Sequence, residues 1–207
     1  MEEKEIQDEL SSIRNLMERS SKFISLSGLS GILAGLYALA GAGYANYLLS
    51  SGIGRNVYQP GYRILADLQT LALLLVAIVV LMASVITGVL LSLRKAKKTG
   101  QPIWGKTSRA LVFHMSAPLV AGGLLILILL FRGYYGIVAP ASLIFYGLAL
   151  ISASNFTFTD VKYLGLCEIA LGLVAACMPG YGLLFWAIGF GVLHIIYGSV
   201  MYLKYDR

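Results

Sequence analysis

The sequence predicts an all-α polytopic membrane protein: six transmembrane helices behind a short amphipathic cytoplasmic helix, with both termini inside. Three observations carry this expectation. The 207 residues are 58% hydrophobic and 13% charged, against roughly 45–50% and about 25% in soluble chains. The apolar residues are gathered into long runs, the pattern of membrane-crossing helices. Finally, a strongly basic stretch from Arg94 to Arg109 divides the runs and must stay outside the hydrocarbon, where no water solvates charge.

Residues 1–22 form the cytoplasmic segment and 23–207 the membrane domain. The first 22 residues hold ten charges, unlike a cleavable signal peptide, whose apolar core follows a short basic start. Within residues 2–19, Ile6, Leu10, Ile13 and Met17 are spaced 4, 3 and 4 apart, a two-heptad seam. Acidic residues crowd the start of this helix and basic ones its end, which suits the helix dipole. Helices lying on anionic membranes are usually basic on their polar face. The seam therefore fits a partner helix, in another subunit or another protein, or else a solvated lead into the first span.

The first span covers about Phe23 to Leu49. Gly28, Gly31 and Gly35 lie on one face, continued by Ala38 and Ala42, and small faces let helices approach closely in lipid. This span is expected in the middle of the bundle. An outer loop with Gly52, Gly54, Pro60 and Gly61 follows, flanked by tyrosines suited to the membrane interface. The second span, about Ala66 to Leu93, is rich in Leu, Val and Ile and is expected to face lipid. It exceeds the ~20 residues a crossing needs, so tilt or extension is expected. Asp67 follows Arg63 by four residues, the spacing of an anchoring helical ion pair.

Arg94, Lys95, Lys97, Lys98, Lys106 and Arg109 then form the inner loop that meets anionic headgroups. The third span, about Ala110 to Phe131, contains His114, Pro118 and Gly122-Gly123, and Arg132-Gly-Tyr-Tyr-Gly turns the chain. The fourth span runs from about Ile137 to Ala153, the fifth from Val161 to Met178 and the sixth from Leu183 to Leu203. In this layout thirteen of the sixteen Lys and Arg residues are inside and three outside, the positive-inside bias. The simplest home is a bacterial inner membrane. The net charge of +6 belongs to span ends and does not signal nucleic-acid binding. Asn155-Phe-Thr fits a glycosylation sequon, but the topology places it inside.

Gly28–Tyr44 aligned with Gly165–Tyr181 gives eight identities in seventeen positions. Both segments run inside to outside, so this is a candidate parallel repeat. Gly165 and Gly172 on the fifth span, with Gly191 and Gly198 on the sixth, complete the expected helix-packing set.

Intramembrane polar residues are costly and so are the candidates for function. Glu168 shares a face with Gly165, Gly172 and Ala175 and replaces Gly31 of the repeat. His194 shares a face with Ala187, Gly191 and Gly198 on the neighbouring helix. By helix rise the two differ in depth by about 6 Å, so they can meet, and His114 lies near the same depth. A carboxylate with one or two imidazoles makes a proton relay or cation site, or a polar lock for helix packing.

No catalytic elbow, Walker loop, dinucleotide fingerprint or Cys-x-x-Cys is present. Cys167 and Cys177 are too far apart for a disulfide and are expected as packing residues. Neither an enzyme, a metal centre nor a cofactor is expected. Two functions fit: a small transporter, channel or proton-sensitive bundle using Glu168, or a non-enzymatic scaffold, sensor or partner subunit acting through residues 2–19. Either could be a homo-oligomer.

Overall fold

The computed structural model describes Gln7 and residues 27–51, 68–100 and 104–206. The expected N-terminal helix, the Arg63–Asp67 pair and most of the outer loop lie outside these residues. The described chain is helical throughout, without strands. Its helices are α1 (Gly28–Ser50), α2 (Leu68–Lys98), α3 (Lys106–Phe131), α4 (Val138–Ala153), α5 (Asp160–Cys177) and α6 (Gly182–Asp206). A 3₁₀ turn, Tyr135–Ile137, precedes α4, and α6 widens into π turns at Ala187–Leu193 and Tyr202–Asp206.

Five of these, all but α5, are long and apolar enough to cross a membrane. The exception has a simple cause: α5 holds Asp160, Lys162 and Glu168 within eighteen residues. As expected, α2 outlasts its apolar run and continues into Lys95, Lys97 and Lys98. Its most apolar stretch buries no residue against the rest of the protein, so this flank of α2 is left uncovered within one chain.

The helices form a row. α2 lies on α1, α1 on α6, α6 on α4 and α5, and α3 on the far side of α4. On α1 the buried residues are Gly28, Gly35, Ala38, Gly41, Ala42 and Ala45, close to the small face read from the sequence. Two of the turns need φ values that side chains rarely adopt, at Gly133 (80°) and Gly180 (96°), which is why glycine follows α3 and α5.

Two helix crossings are built alike. Where α1 meets α6, a Cβ on Gly35 would stand 2.6 Å from the Gly191 oxygen and 3.0 Å from the Ile195 nitrogen. Where α5 meets α4, a Cβ on Gly172 would stand 3.0 Å from the Pro140 oxygen and 3.1 Å from the Ile144 nitrogen. The second pair of glycines matches too. A Cβ on Gly198 would lie 2.5 Å from the Ile32 nitrogen and 2.7 Å from the Gly28 oxygen, and one on Gly147 would lie 3.0 Å from the Ile169 nitrogen and 2.5 Å from the Gly165 oxygen. Gly28, Ile32 and Gly35 are the repeat partners of Gly165, Ile169 and Gly172, so aligned residues make equivalent contacts.

One end of the bundle is tied by polar groups. Asp206, at the end of α6, accepts hydrogen bonds from the Gly28 nitrogen (2.8 Å) and the Ser27 hydroxyl (3.1 Å), and pairs with Lys95. It thereby caps the first turn of α1, whose amides have no intrahelical acceptor. Beside it, Asp160 accepts from Lys204 (2.9 Å) and Tyr205 (2.8 Å). The starts of α1 and α5 thus meet the ends of α2 and α6, as consecutive antiparallel helices require.

Candidate functional site

The site forms where α5, α6 and α4 meet. Glu168 follows the α5 stripe of Val161, Leu164, Gly165, Gly172 and Ala175, all buried, so its carboxyl points into the bundle and is 0% exposed. Its Oε1 lies 3.5 Å from His194 Nδ1, at ion-pair range, and neither carboxyl oxygen has a hydrogen-bond partner. The contact predicted from helix depth is therefore present.

The widened turn at Ala187–Leu193 shapes the other wall. A Cβ on Gly189 would stand 2.5 Å from Glu168 Oε2 and 2.5 Å from Leu143 Cδ2, so only a bare backbone leaves room for the carboxyl. The Gly189 carbonyl lies 3.0 Å from His194 Nδ1. A carbonyl can only accept, so Nδ1 carries a proton. On the other edge of the ring, His194 Nε2 is 2.8 Å from the Tyr146 hydroxyl. In the neutral imidazole Nε2 accepts and Tyr146 donates, an assignment that follows from the network. Phe190 closes the site, with its ring centroid 5.1 Å from Tyr146 and 5.9 Å from His194.

Further polar groups lead toward the tied end of the bundle. Tyr197, one turn beyond His194, has a buried hydroxyl without a partner. Tyr146, Tyr197 and Tyr205 all pack against the same core cluster of Leu150, Phe158, Val161, Leu164 and Met201. At the end of this series, the hydrogen bond from Lys204, with that from Tyr205, holds the Asp160 carboxyl below the usual carboxylate range.

The remaining sequence candidates fall elsewhere. His114 is exposed near the start of α3, stacked on Phe156 at 4.7 Å and edge-on to Phe113 at 5.6 Å. It is drawn away by an aromatic partner in the α4–α5 loop. Among the loop cations, Arg94, Lys97, Lys98, Lys106 and Arg109 are exposed, whereas Lys95 turns in toward Asp206. Cys167 and Cys177 are exposed on α5 rather than packed inside, because the glycine face of that helix takes up its buried side. Neither Tyr146 nor Gly189 stands out in the sequence, the first being one tyrosine among thirteen and the second one glycine among twenty-three. The repeated Ile-x-Tyr-Gly at Ile144–Gly147 and Ile195–Gly198 is the one sequence signal that marks Tyr146.

Among the described residues, no three His, Cys, Asp or Glu side chains gather as metal ligands. The site is a single buried carboxyl joined to one imidazole and one phenol. Comparison with protein-family models, curated proteins and solved structures gave no match. Fold and site define the class by themselves: an all-helical membrane protein with a buried carboxyl–imidazole pair.

Proposed function

We propose that this protein is a small proton-translocating or proton-sensitive bundle in a bacterial inner membrane, with six spans, both termini cytoplasmic, and Glu168 as its protonation site. The observation that carries the reading is Glu168 itself, fully buried, 3.5 Å from His194 Nδ1, with no donor to either oxygen. An ionised carboxylate without partners in an apolar interior is costly. Such a group holds a proton, or holds charge only while His194 is also charged. A metal cation is the weaker alternative, since one carboxylate offers too few oxygens.

The array suits stepwise transfer. A proton delivered through the Tyr146 hydroxyl is taken up at His194 Nε2. The resulting imidazolium releases its Nδ1 proton to ionised Glu168 Oε1. Before the next cycle Glu168 gives that proton up on the far side, the ring moves its remaining proton from Nε2 to Nδ1, and Tyr146 regains a proton. Along α6, Tyr197 and then Tyr205, which donates to Asp160, follow His194 toward the end that this reading places in the cytoplasm. As a sixth span, α5 has Asp160 and Lys162 in its first turn, which leaves Glu168 as its single acidic residue at depth.

The test is proton flux in proteoliposomes under an imposed pH gradient, for the wild type and Glu168→Gln. Flux in the wild type that vanishes in a folded Glu168→Gln protein supports the proposal. Wild-type flux no greater than that of empty liposomes refutes translocation and turns attention to the anchor role, tested by capture of partners with residues 2–19 deleted.

A further inference from the structure

The two matched crossings have an unused third counterpart in the same chain. The helices that supply one half of each crossing, α1 and α5, read Gly28-x₃-Ile32-x₂-Gly35-Leu36 and Gly165-x₃-Ile169-x₂-Gly172-Leu173. In α3 the same register reads Ser116-x₃-Val120-x₂-Gly123-Leu124. The helices that supply the other half, α4 and α6, read Ile144-x-Tyr146-Gly147 and Ile195-x-Tyr197-Gly198, and α2 reads Val85-x-Thr87-Gly88. Each of the three hairpins therefore carries one half of each kind, and the halves pair between hairpins.

Two of the three crossings are closed, by α1 on α6 and by α5 on α4. The third is open on both sides. A Cβ on Gly88 or on Gly123 would meet nothing within 4 Å. The large residues beside these glycines are bare as well, with Val85 51%, Val120 59% and Leu124 58% exposed. Within one chain, α2 is held on α1 and α3 on α4, at opposite ends of the helix row.

We propose that the third crossing forms between two copies of this chain, with α2 of one protomer on α3 of the other. The halves are complementary and lie on the same polypeptide, so a two-fold axis along the bundle closes both open sites when the two helix rows lie side by side in opposite order. An isologous dimer of this kind is self-limiting. α2 and α3 run in opposite directions, as do the helices of the two closed crossings, so two copies inserted with the same orientation satisfy the geometry. In lipid such contacts rest on close backbone approach at small residues, which the closed crossings already display in this protein. The proposal is independent of what Glu168 does.

Cross-linking in membranes tests the pairing. Gly28 faces Gly198 in one closed crossing and Gly165 faces Gly147 in the other, so Ser116 of one protomer should face Gly88 of its partner. With Cys167 and Cys177 replaced by Ala, copies carrying Gly88→Cys are mixed with copies carrying Ser116→Cys and oxidised. The expected result is a covalent dimer in the mixture, and several-fold less of it in either population alone. No dimer in the mixture overturns the proposal. A single chain carrying both substitutions that cross-links at monomer mass also overturns it, because the seam then closes within one protomer.

A second variant guards against misfolding. A Cβ at Gly88 meets nothing within 4 Å, so Gly88→Leu should keep the wild-type helical content while shifting the protein from dimer to monomer in lipid nanodiscs, as read by particle mass. A folded Gly88→Leu protein that stays dimeric refutes the assignment, as does a wild type that is monomeric there.

Discussion

Gly189→Ala is the sharpest probe of the site, because the structure says what the added methyl strikes. Its carbon would lie 2.5 Å from Glu168 Oε2, 2.5 Å from Leu143 Cδ2 and 3.2 Å from Leu171 Cδ2. Ordinary contact begins near 3.4 Å, so two side chains must each withdraw by about 0.9 Å. Both Leu143 and Glu168 are 0% exposed and have little space to enter. Overpacking of this kind costs about 1–3 kcal/mol. The opposing gain in helix propensity, about 1 kcal/mol for Gly to Ala, offsets only part of it.

The assay is a double-mutant cycle with Glu168→Ala, measured as unfolding free energy by titration with a denaturing detergent in mixed micelles. Shortening Glu168 removes one of the two closest obstacles, so Gly189→Ala should cost less in that background. A coupling of about 1 kcal/mol is expected, above the ~0.5 kcal/mol within which independent sites add. Proton flux in the single Gly189→Ala variant should fall, because the carboxyl is moved relative to His194. Additive stabilities together with unchanged flux would refute the placement of Glu168 against the bare wall of α6.

Other perturbations follow from the same geometry. Gly198→Ala places a methyl 2.5 Å from the Ile32 nitrogen and 2.7 Å from the Gly28 oxygen. Those are backbone atoms that cannot step aside, so α1 and α6 must part, at about 1–3 kcal/mol. In the same titration Gly43→Ala, in open space, should be neutral or stabilising. Tyr146→Phe strips His194 Nε2 of its partner and should destabilise by about 1–3 kcal/mol, the cost of an unsatisfied buried group, while slowing any flux. Asp206→Ala removes both the cap on α1 and the partner of Lys95 and should cost about 1–2 kcal/mol. Asp206→Asn should recover part of this, because its amide oxygen can still accept from Gly28. Asp160 gives a pH signature. Its carboxyl is held low, chiefly by the Lys204 hydrogen bond, so its contribution is complete above the ordinary carboxylate value of about 4 and is lost as pH falls below it. Melting followed from pH 6 to pH 3 should show an acid limb that flattens in Asp160→Asn.

What the sequence disclosed and what it hid have different physical origins. Span limits are set by where apolar side chains stop, which is a local property. The expected span from Leu183 to Leu203 and the observed helix Gly182–Asp206 agree to within three residues at either end. Glu168 and His194 could be paired in advance because the short turn between their helices forces antiparallel contact and helix rise converts position into depth. Tyr146 could not be found this way. It reaches His194 from α4, and the neighbours of α4 are chosen by the glycine crossings rather than by chain order. Gly189 was hidden for another reason. Its role depends on the π turn, which shifts the register of α6 between Ala187 and Leu193, and a regular periodicity of 3.6 residues does not anticipate it.

The glycine crossings also explain why the site lies where it does. In the aligned repeat, Gly31 on α1 corresponds to Glu168 on α5. A Cβ at Gly31 would be 3.1 Å from Gly198 Cα and 3.4 Å from the His194 oxygen, so that position is filled by close backbone approach. The crossing of α5 with α4 leaves Glu168 aimed past α4 to α6, where Gly189 has no side chain. His194 is thus held from two sides, by the backbone of α1 at Gly31 and by the carboxyl of α5. This arrangement makes a directional prediction. Gly31→Ala presses on the α6 backbone beside His194 and should perturb the Glu168 site from the opposite face. Measured by flux across a range of pH, it should shift the profile while Gly43→Ala, on the same helix but in open space, leaves it unchanged. Equal profiles for the two variants would mean that α1 supports the bundle without positioning the site.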